Sequence, residues 1–191
     1  ADIVERICQQ CKSVWSWKNN QFSIKTLDLQ DDKSKYVLDE DRHFVSRPSF
    51  SRPALKEISN DFIVRYGFNQ MTEKYDRVIT RNRRNDYLCR NSYAIYGVTR
   101  SHKEIELPDV YDSFTANAYT DHVVSLNALS RLTMDVDIRM TEDIEGLSIA
   151  DVVQVNLNRQ VSDYSSTLWL ILDIATQDNH LRLSMLELIG L

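Results

Sequence analysis

Met134-Asp135-Val136-Asp137-Ile138-Arg139-Met140 places an apolar side chain at every second position, with a charged one in each gap. Side chains along an extended strand point alternately to opposite faces, so this stretch predicts a strand with one buried and one wetted face. The sequence after it reads the same way: residues 151–157 follow a turn at Gly146, and residues 168–176 and 180–189 flank Gln177-Asp178-Asn179. A link that short joins antiparallel neighbours, because a parallel crossover needs about a dozen residues or more. The expected fold class is therefore α+β, a mostly antiparallel β-sheet with two or three helices packed on it.

Toward the N-terminus the period changes. Residues 113–132 place Ala116, Tyr119, Val123, Leu126 and Leu129 on one helical stripe. Before them come a strand at 98–107 and a short helix at 85–96, with Leu88, Cys89, Ser92, Tyr93 and Tyr96 on one side and Gly97 as its left-handed stop. Residues 61–68 predict a strand with Phe62, Val64, Tyr66 and Phe68 inward, and residues 75–80 continue the sheet. The chain opens with a predicted helix at 3–13, whose apolar face holds Ile3, Ile7, Cys8, Cys11 and Val14, capped by Asp2 with Glu5 reaching back. A hairpin over 14–25 carries Trp15 and Trp17 on one strand face, a face expected to belong to the core rather than to stack on sugars. Residues 28–53, with mixed charge, Pro48 and Pro53, predict a long surface connection holding one short strand at 36–38. The expected division is residues 1–60, a helix and hairpin with that connection, and residues 61–191, the main sheet with its long helix, unless the two intertwine as one domain.

The chain has 191 residues, 42% hydrophobic and 27% charged, with only 4 glycines and 3 prolines, which suits a sizeable core and not a disordered segment. The longest apolar run, Leu168-Trp169-Leu170-Ile171-Leu172, falls far short of the roughly 20 residues of a membrane span, so none is expected. The opening residues carry neither an initiator Met nor a signal-peptide pattern, and the chain is expected to be cut from a longer protein. A net charge of -5 removes the usual attraction to polyanions, so nucleic acid is not an expected partner.

Candidate chemistry has to be weighed against plainer readings. Cys8-x-x-Cys11 lies within a predicted helix, and only Cys89 and four scattered histidines, His43, His102, His122 and His180, remain to complete a zinc set. Both thiols are expected to be buried core residues, with no metal and no disulfide. Asp28, Asp31 and Asp32, and again Asp39, Glu40 and Asp41, are clustered carboxylates, but interspersed Lys33, Lys35 and Arg42 point to a solvated loop. Four glycines, at 67, 97, 146 and 190, allow neither a Walker loop nor a dinucleotide fingerprint. Arg77, Arg81, Arg83, Arg84 and Arg90, interleaved with Tyr75 and Tyr87, have the residue types that grip phosphates and stack on bases. The plainer reading pairs these arginines with Asp76 and Asp86 or with an acidic neighbouring subunit, and the acidic chain favours it. No catalytic residue, no cofactor-binding residue, no cofactor and no metal ligand is assigned.

The order of elements carries a resemblance. The helix opening into a Trp-rich hairpin, the strand Asn60-Asp61-Phe62-Ile63-Val64-Arg65-Tyr66, the pair Tyr96-Gly97, the element Leu147-Ser148-Ile149-Ala150-Asp151-Val152-Val153-Gln154-Val155 and the strand Trp169-Leu170-Ile171-Leu172-Asp173-Ile174 together resemble the hub region of phage tail-tip and baseplate proteins. Where that family often has a glycine before the Asp-Val-Val element, this chain has Ala150. The resemblance implies a non-catalytic structural and assembly module of a phage tail hub or tip, connecting the tail tube to distal receptor-binding parts. It implies other phage tail proteins as partners, a homotrimer in the full-length parent, and a location at the tail tip of a virion assembled in the host cytoplasm. The alternative is a polyanion- or glycan-binding module using the basic patch at 81–90. The acidic stretch 28–41 and the basic stretch 77–90 are the expected ring contacts, with apolar surface expected from elsewhere in the parent.

Overall fold

The computed structural model describes residues 2–18, 21–27, 34–97, 102–157, 168–177 and 180–188. In chain order the elements are α1 (Asp2–Gln10), β1 (Ser13–Lys18), β2 (Gln21–Thr26), β3 (Tyr36–Asp39), α2 (Glu40–His43), β4 (Ser49–Ser51), β5 (Phe62–Asn69), β6 (Lys74–Arg81), α3 (Tyr87–Tyr96), β7 (Lys103–Leu107), α4 (Ser113–Asn127), β8 (Thr133–Arg139), β9 (Val152–Asn156), β10 (Leu168–Gln177) and β11 (His180–Glu187). The class is α+β, as expected from the sequence, with sheets that are mostly antiparallel. Two pairings are parallel, β3 with β9 and β5 with β7, and neither was legible because the partners are far apart in sequence. The first part of the strand expected at 98–107 lies outside the described residues, and so does the side chain of Asp2, the proposed cap.

Contacts divide the chain into two compact units, residues 1–24 with 53–130, and residues 25–52 with 131–191. This differs from the division expected at residue 60. The reason is that residues 34–52 supply strands to the C-terminal sheet, while residues 53–130 hold a sheet of their own. The chain passes between the units three times.

The second unit is a six-stranded sheet in the order β3-β9-β10-β11-β8-β4. Met134, Val136 and Ile138 of β8 face Met185, Leu183 and Leu181 of β11 in register, and all six are buried, which is the alternation the sequence predicts. The sheet cannot be flat. Phe44 bridges to Ile138 on the β4 side of β8, five strand spacings or about 24 Å from β3 in a flat sheet. Yet Phe44 follows the end of β3 at Asp39 by five residues, which span at most about 18 Å when fully extended and here include a helical turn. The sheet must therefore curl until its first and last strands approach one another. Phe50 of β4 and Trp169 of β10 accordingly meet across the interior with ring centroids 6.2 Å apart. Leu38, Phe44, Ile144, Leu147, Val153, Val155 and Ile171 fill the same core, so this sheet encloses its apolar side chains largely by itself.

That closure corrects the expectation for residues 28–53. From residue 34 onward the segment is no mere surface connection: it supplies both edge strands of the sheet and buries Leu38, His43 and Phe44. Strands of three and four residues, half exposed along their length, are too short to leave a period in the sequence.

In the first unit β5 is the centre of a three-stranded sheet, β6-β5-β7, and α4 packs across β5 and β6. Phe62, Val64 and Tyr66 face inward toward Ile79, Leu107, Ala116, Val123 and Val124. Asp112 caps α4 by accepting from the Thr115 N–H at 2.7 Å, and Asp86 caps α3 by accepting from the Cys89 N–H at 2.9 Å. Gly97 ends α3 with φ of 74° and ψ of -154°, a positive-φ stop as expected but extended rather than left-handed helical. The buried stripe of α4 runs through Ala116, Thr120, Val123, Val124 and Ala128, so Tyr119, Leu126 and Leu129 are only half-buried. β1 and β2 pair as a separate ribbon, as the hairpin pattern predicts.

Candidate functional site

Arg77 and Arg81 lie on β6, Arg83 and Arg84 on the link to α3, and Arg90 on α3. The structure separates them by role. Arg81 is half-buried: its Nε and Nη2 both donate to Asp121 Oδ1 at 3.1 Å, Nη2 donates to Asn117 Oδ1 at 2.9 Å, and Asp86 stands 4.0 Å away. It ties β6 to α4 and is not free to bind a ligand. The other four are exposed and, among the described residues, have no carboxylate within ion-pair distance. Pairing with Asp76 and Asp86, the plainer sequence reading, therefore holds only for Arg81 and Asp86.

Three of these four are held rather than loose. The Arg83 guanidinium lies 4.3 Å from the centroid of the Tyr93 ring, and Arg90 Nε donates to the Arg83 carbonyl at 3.3 Å. Arg77 donates to the Tyr111 carbonyl at 3.4 Å and lies over the Tyr66 ring at 5.9 Å. Tyr87, 69% exposed, stands at the start of α3 near these cations. Planar guanidinium groups with donors left over are the kind of group that recognises carboxylates and phosphates in a fork geometry.

The second unit holds a different polar cluster. Asp151 is only 7% exposed, and its carboxylate accepts from Lys25 Nζ at 2.8 Å and from the Ser148 N–H and Oγ–H at 2.9 Å each, with Lys35 Nζ at 3.5 Å. Burial pushes this carboxyl up, but the hydrogen bonds from Lys25 and Ser148 outweigh it and hold the group below the usual carboxylate range. Immediately before it, Ala150 sits at φ of 66°, the left-handed conformation that a glycine adopts without strain. The place where the sequence departs from the tail family is thus a turn that still takes the glycine geometry. Nearby in the fold, buried His43 accepts the Asp39 N–H at Nδ1, 2.9 Å, which leaves Nε2 to donate to Asp143 at 3.2 Å. The Asp143 carboxyl is held low by its surroundings, with Thr141 first, then His43 and Arg42. Both clusters have their partners and tie loops to strands. Sequence reasoning took Asp151 only as a strand start; the Ser-x-x-Asp spacing of Ser148 and Asp151 was the signal for a side chain bonded to its own turn.

The remaining candidates disperse. Cys8 and Cys89 are buried, but Cys11 is exposed, which corrects its assignment to the core: α1 ends at Gln10, so Cys11 lies in the turn beyond it. Burial pushes the Cys89 thiol up to about 12, with Asp86 adding to the shift. Trp169 is core at 2% exposure, Trp15 is 37% exposed, and the side chain of Trp17 lies outside the described residues, as do Asp28, Asp31 and Asp32. Among the described residues no group of three or more His, Cys, Asp or Glu gathers around a common point. One feature runs against the sequence reading. Ile3 and Ile7 on α1 are 67% and 49% exposed, and Phe22 and Ile24 of β2 are 46% and 55% exposed, so the helix and the ribbon each present apolar surface.

No protein-family model and no curated protein matches the sequence. Solved structures do match. A component of the virion of a native gene transfer agent particle superposes with a TM-score of 0.67 over 98% of this chain, at 10% identity. The fold is that of phage tail proteins. The prophage tail protein gp18 of Listeria monocytogenes EGD-e matches with a TM-score of 0.54 over 97% of the chain at 11% identity, and the 43 kDa tail protein of prophage MuSo2 from Shewanella oneidensis with 0.55 over 97% at 10%. The resemblance to phage tail proteins read from the order of elements is thus borne out as a likeness of fold. The chain spans 38%, 51% and 53% of the lengths of these three structures, so each carries further parts with no counterpart here.

Proposed function

We propose that the chain is a structural and assembly module of a phage tail hub or tip, joining the tail tube to distal receptor-binding parts. The observation that carries this reading is the fold likeness to tail proteins along 97–98% of the chain. Its polar clusters support it, because Asp151, His43 and Asp143 spend their hydrogen-bonding capacity on the fold rather than on a substrate. In this reading the chain works as one subunit of a closed homotrimeric ring in the virion, in contact with other tail proteins, and catalyses nothing. The apolar side chains of α1 and β2, which the sequence reading looked for elsewhere in the parent, add surface that such assembly needs.

Labelling with an antibody against this chain tests the location. Tailed particles released by the strain that carries the sequence should be labelled at one end of the tail; labelling along the whole tube, or on no particle, contradicts the reading. The unneutralised Arg83, Arg84 and Arg90 favour a second reading, a polyanion- or glycan-binding module. Filter binding separates the two: micromolar affinity for single-stranded nucleic acid that persists at physiological salt, and is lost when Arg83 and Arg84 become Ala, would establish the second.

A further inference from the structure

The charge of the chain is not shared evenly between its units. Residues 1–24 and 53–130 hold 13 basic against 12 acidic side chains, whereas residues 25–52 and 131–191 hold 10 basic against 16 acidic. The whole negative balance therefore sits in the second unit. In the first unit Asp121 and Asp86 offset Arg81 alone, which leaves Arg83, Arg84 and Arg90 as exposed cations, two of them held by Tyr93 and by a backbone carbonyl. In the second unit the turn after β8 presents Glu142, Asp143 and Glu145, all exposed, and among the described residues only Asp143 of the three has side-chain partners of this kind, the Arg42 guanidinium and the neutral His43 ring at 3.2 Å each.

We propose that the Arg83, Arg84 and Arg90 surface of one copy docks on the Glu142 to Glu145 turn of the next copy, and that this is the head-to-tail contact of the ring. The inference rests on the ring reading above and names its interface. A closed ring needs two different patches on each subunit, each complementary to the other, and opposite charge on separate units of one chain meets that requirement. A second copy fits the arginines better than a free polyanion does. The chain as a whole repels a polyanion, whereas the acidic unit of another copy brings its charge on a surface of fixed shape. Exposed pairs of this kind set register and speed encounter more than they hold, so the contact weakens with salt.

The test is a charge-swap series on this 191-residue chain, with self-association measured by sedimentation at about 0.1 mM protein in low salt and again in about 0.5 M salt. Reversing the basic patch by Arg83→Glu with Arg84→Glu, or the acidic turn by Glu142→Lys with Glu145→Lys, should each weaken association about tenfold. All four substitutions together should restore it. The changed side chains are exposed, so the urea midpoint of every variant should match the parent and serves as the folding control. Association that ignores both reversals overturns the interface while leaving a ring by other contacts intact. A chain that stays monomeric at low salt overturns it too, and the ring is then judged separately on the longer polypeptide. Loss of nucleic-acid binding without loss of association on Arg83→Glu with Arg84→Glu assigns the patch to a polyanion and also overturns the proposal.

Discussion

The two units make opposite use of their side chains. The second curls one sheet around Trp169, Met134, Ile138, Leu183 and Met185, leaves short edge strands, and ties the buried Asp151 carboxylate to two lysines and a serine. The first has a smaller sheet under α3 and α4, and among the described residues it leaves Arg83, Arg84 and Arg90 without a carboxylate and Ile3 and Ile7 exposed. A buried residue in the second unit is therefore expected to matter for stability, and an exposed cation in the first for contact with other molecules. The difference teaches that a module with no cluster of metal-ligating or catalytic side chains among its described residues still differs from one unit to the other in where it leaves cations and apolar groups exposed.

The largest expected effect breaks the core of the second unit. Trp169→Ala should cost about 3 to 5 kcal/mol, while Trp15→Ala, at an exposed ribbon position, should cost less than about 1 kcal/mol. Urea unfolding of the two variants checks this directly, and equal losses would erase the contrast between the units.

Removing the buried carboxylate comes next. Asp151→Ala leaves Lys25 and the Ser148 N–H without their acceptor and should destabilise by about 2 to 4 kcal/mol. The pH dependence has a definite sign. Because the folded group is held below the unfolded value of about 3.9, the folded state binds fewer protons in that range, so the stabilisation is complete above it and is lost as pH falls through the folded value. Acid titration of stability should therefore be steeper below about pH 4 in the parent than in Asp151→Asn.

A smaller effect has the opposite direction. Ala150→Gly relieves a left-handed alanine and should stabilise by about 1 kcal/mol, measured as a raised urea midpoint with an unchanged slope. Gly146→Ala should do the reverse, since a methyl group there would stand 2.5 Å from the Tyr36 hydroxyl; Gly146→Ala with Tyr36→Phe should recover part of the loss. The smallest perturbation is chemical. Of the three thiols only Cys11 should react with a maleimide in the native protein at neutral pH, and all three in denaturant, because Cys8 is buried and the Cys89 thiol is pushed up to about 12.

Much of this architecture is written locally. The alternation along β5, β8 and β11 is long enough to fix both strand and face, and Asp86, Gly97 and Asp112 mark helix ends by their own chemistry. What stayed hidden depends on partners distant in the chain. β3 and β4 become strands because β9 and β8 are there to pair with them, and His43 is buried because the sheet curls over it. Ile3 and Ile7 mislead for a related reason: an apolar stripe announces that a helix wants cover, not whether its own unit supplies it. The arginines at 77–90 were visible as a group, but only the packing of Asp121 and Asn117 against Arg81 shows which of them are spoken for.

The most direct test of the account is the mass in solution of the longest polypeptide that carries this chain, measured at micromolar concentration in low and in physiological salt. The account predicts a closed trimer at both, formed more slowly at the higher salt as charge steering is screened. A polypeptide that remains a monomer in both contradicts the ring and, with it, the assignment of the chain to a tail hub.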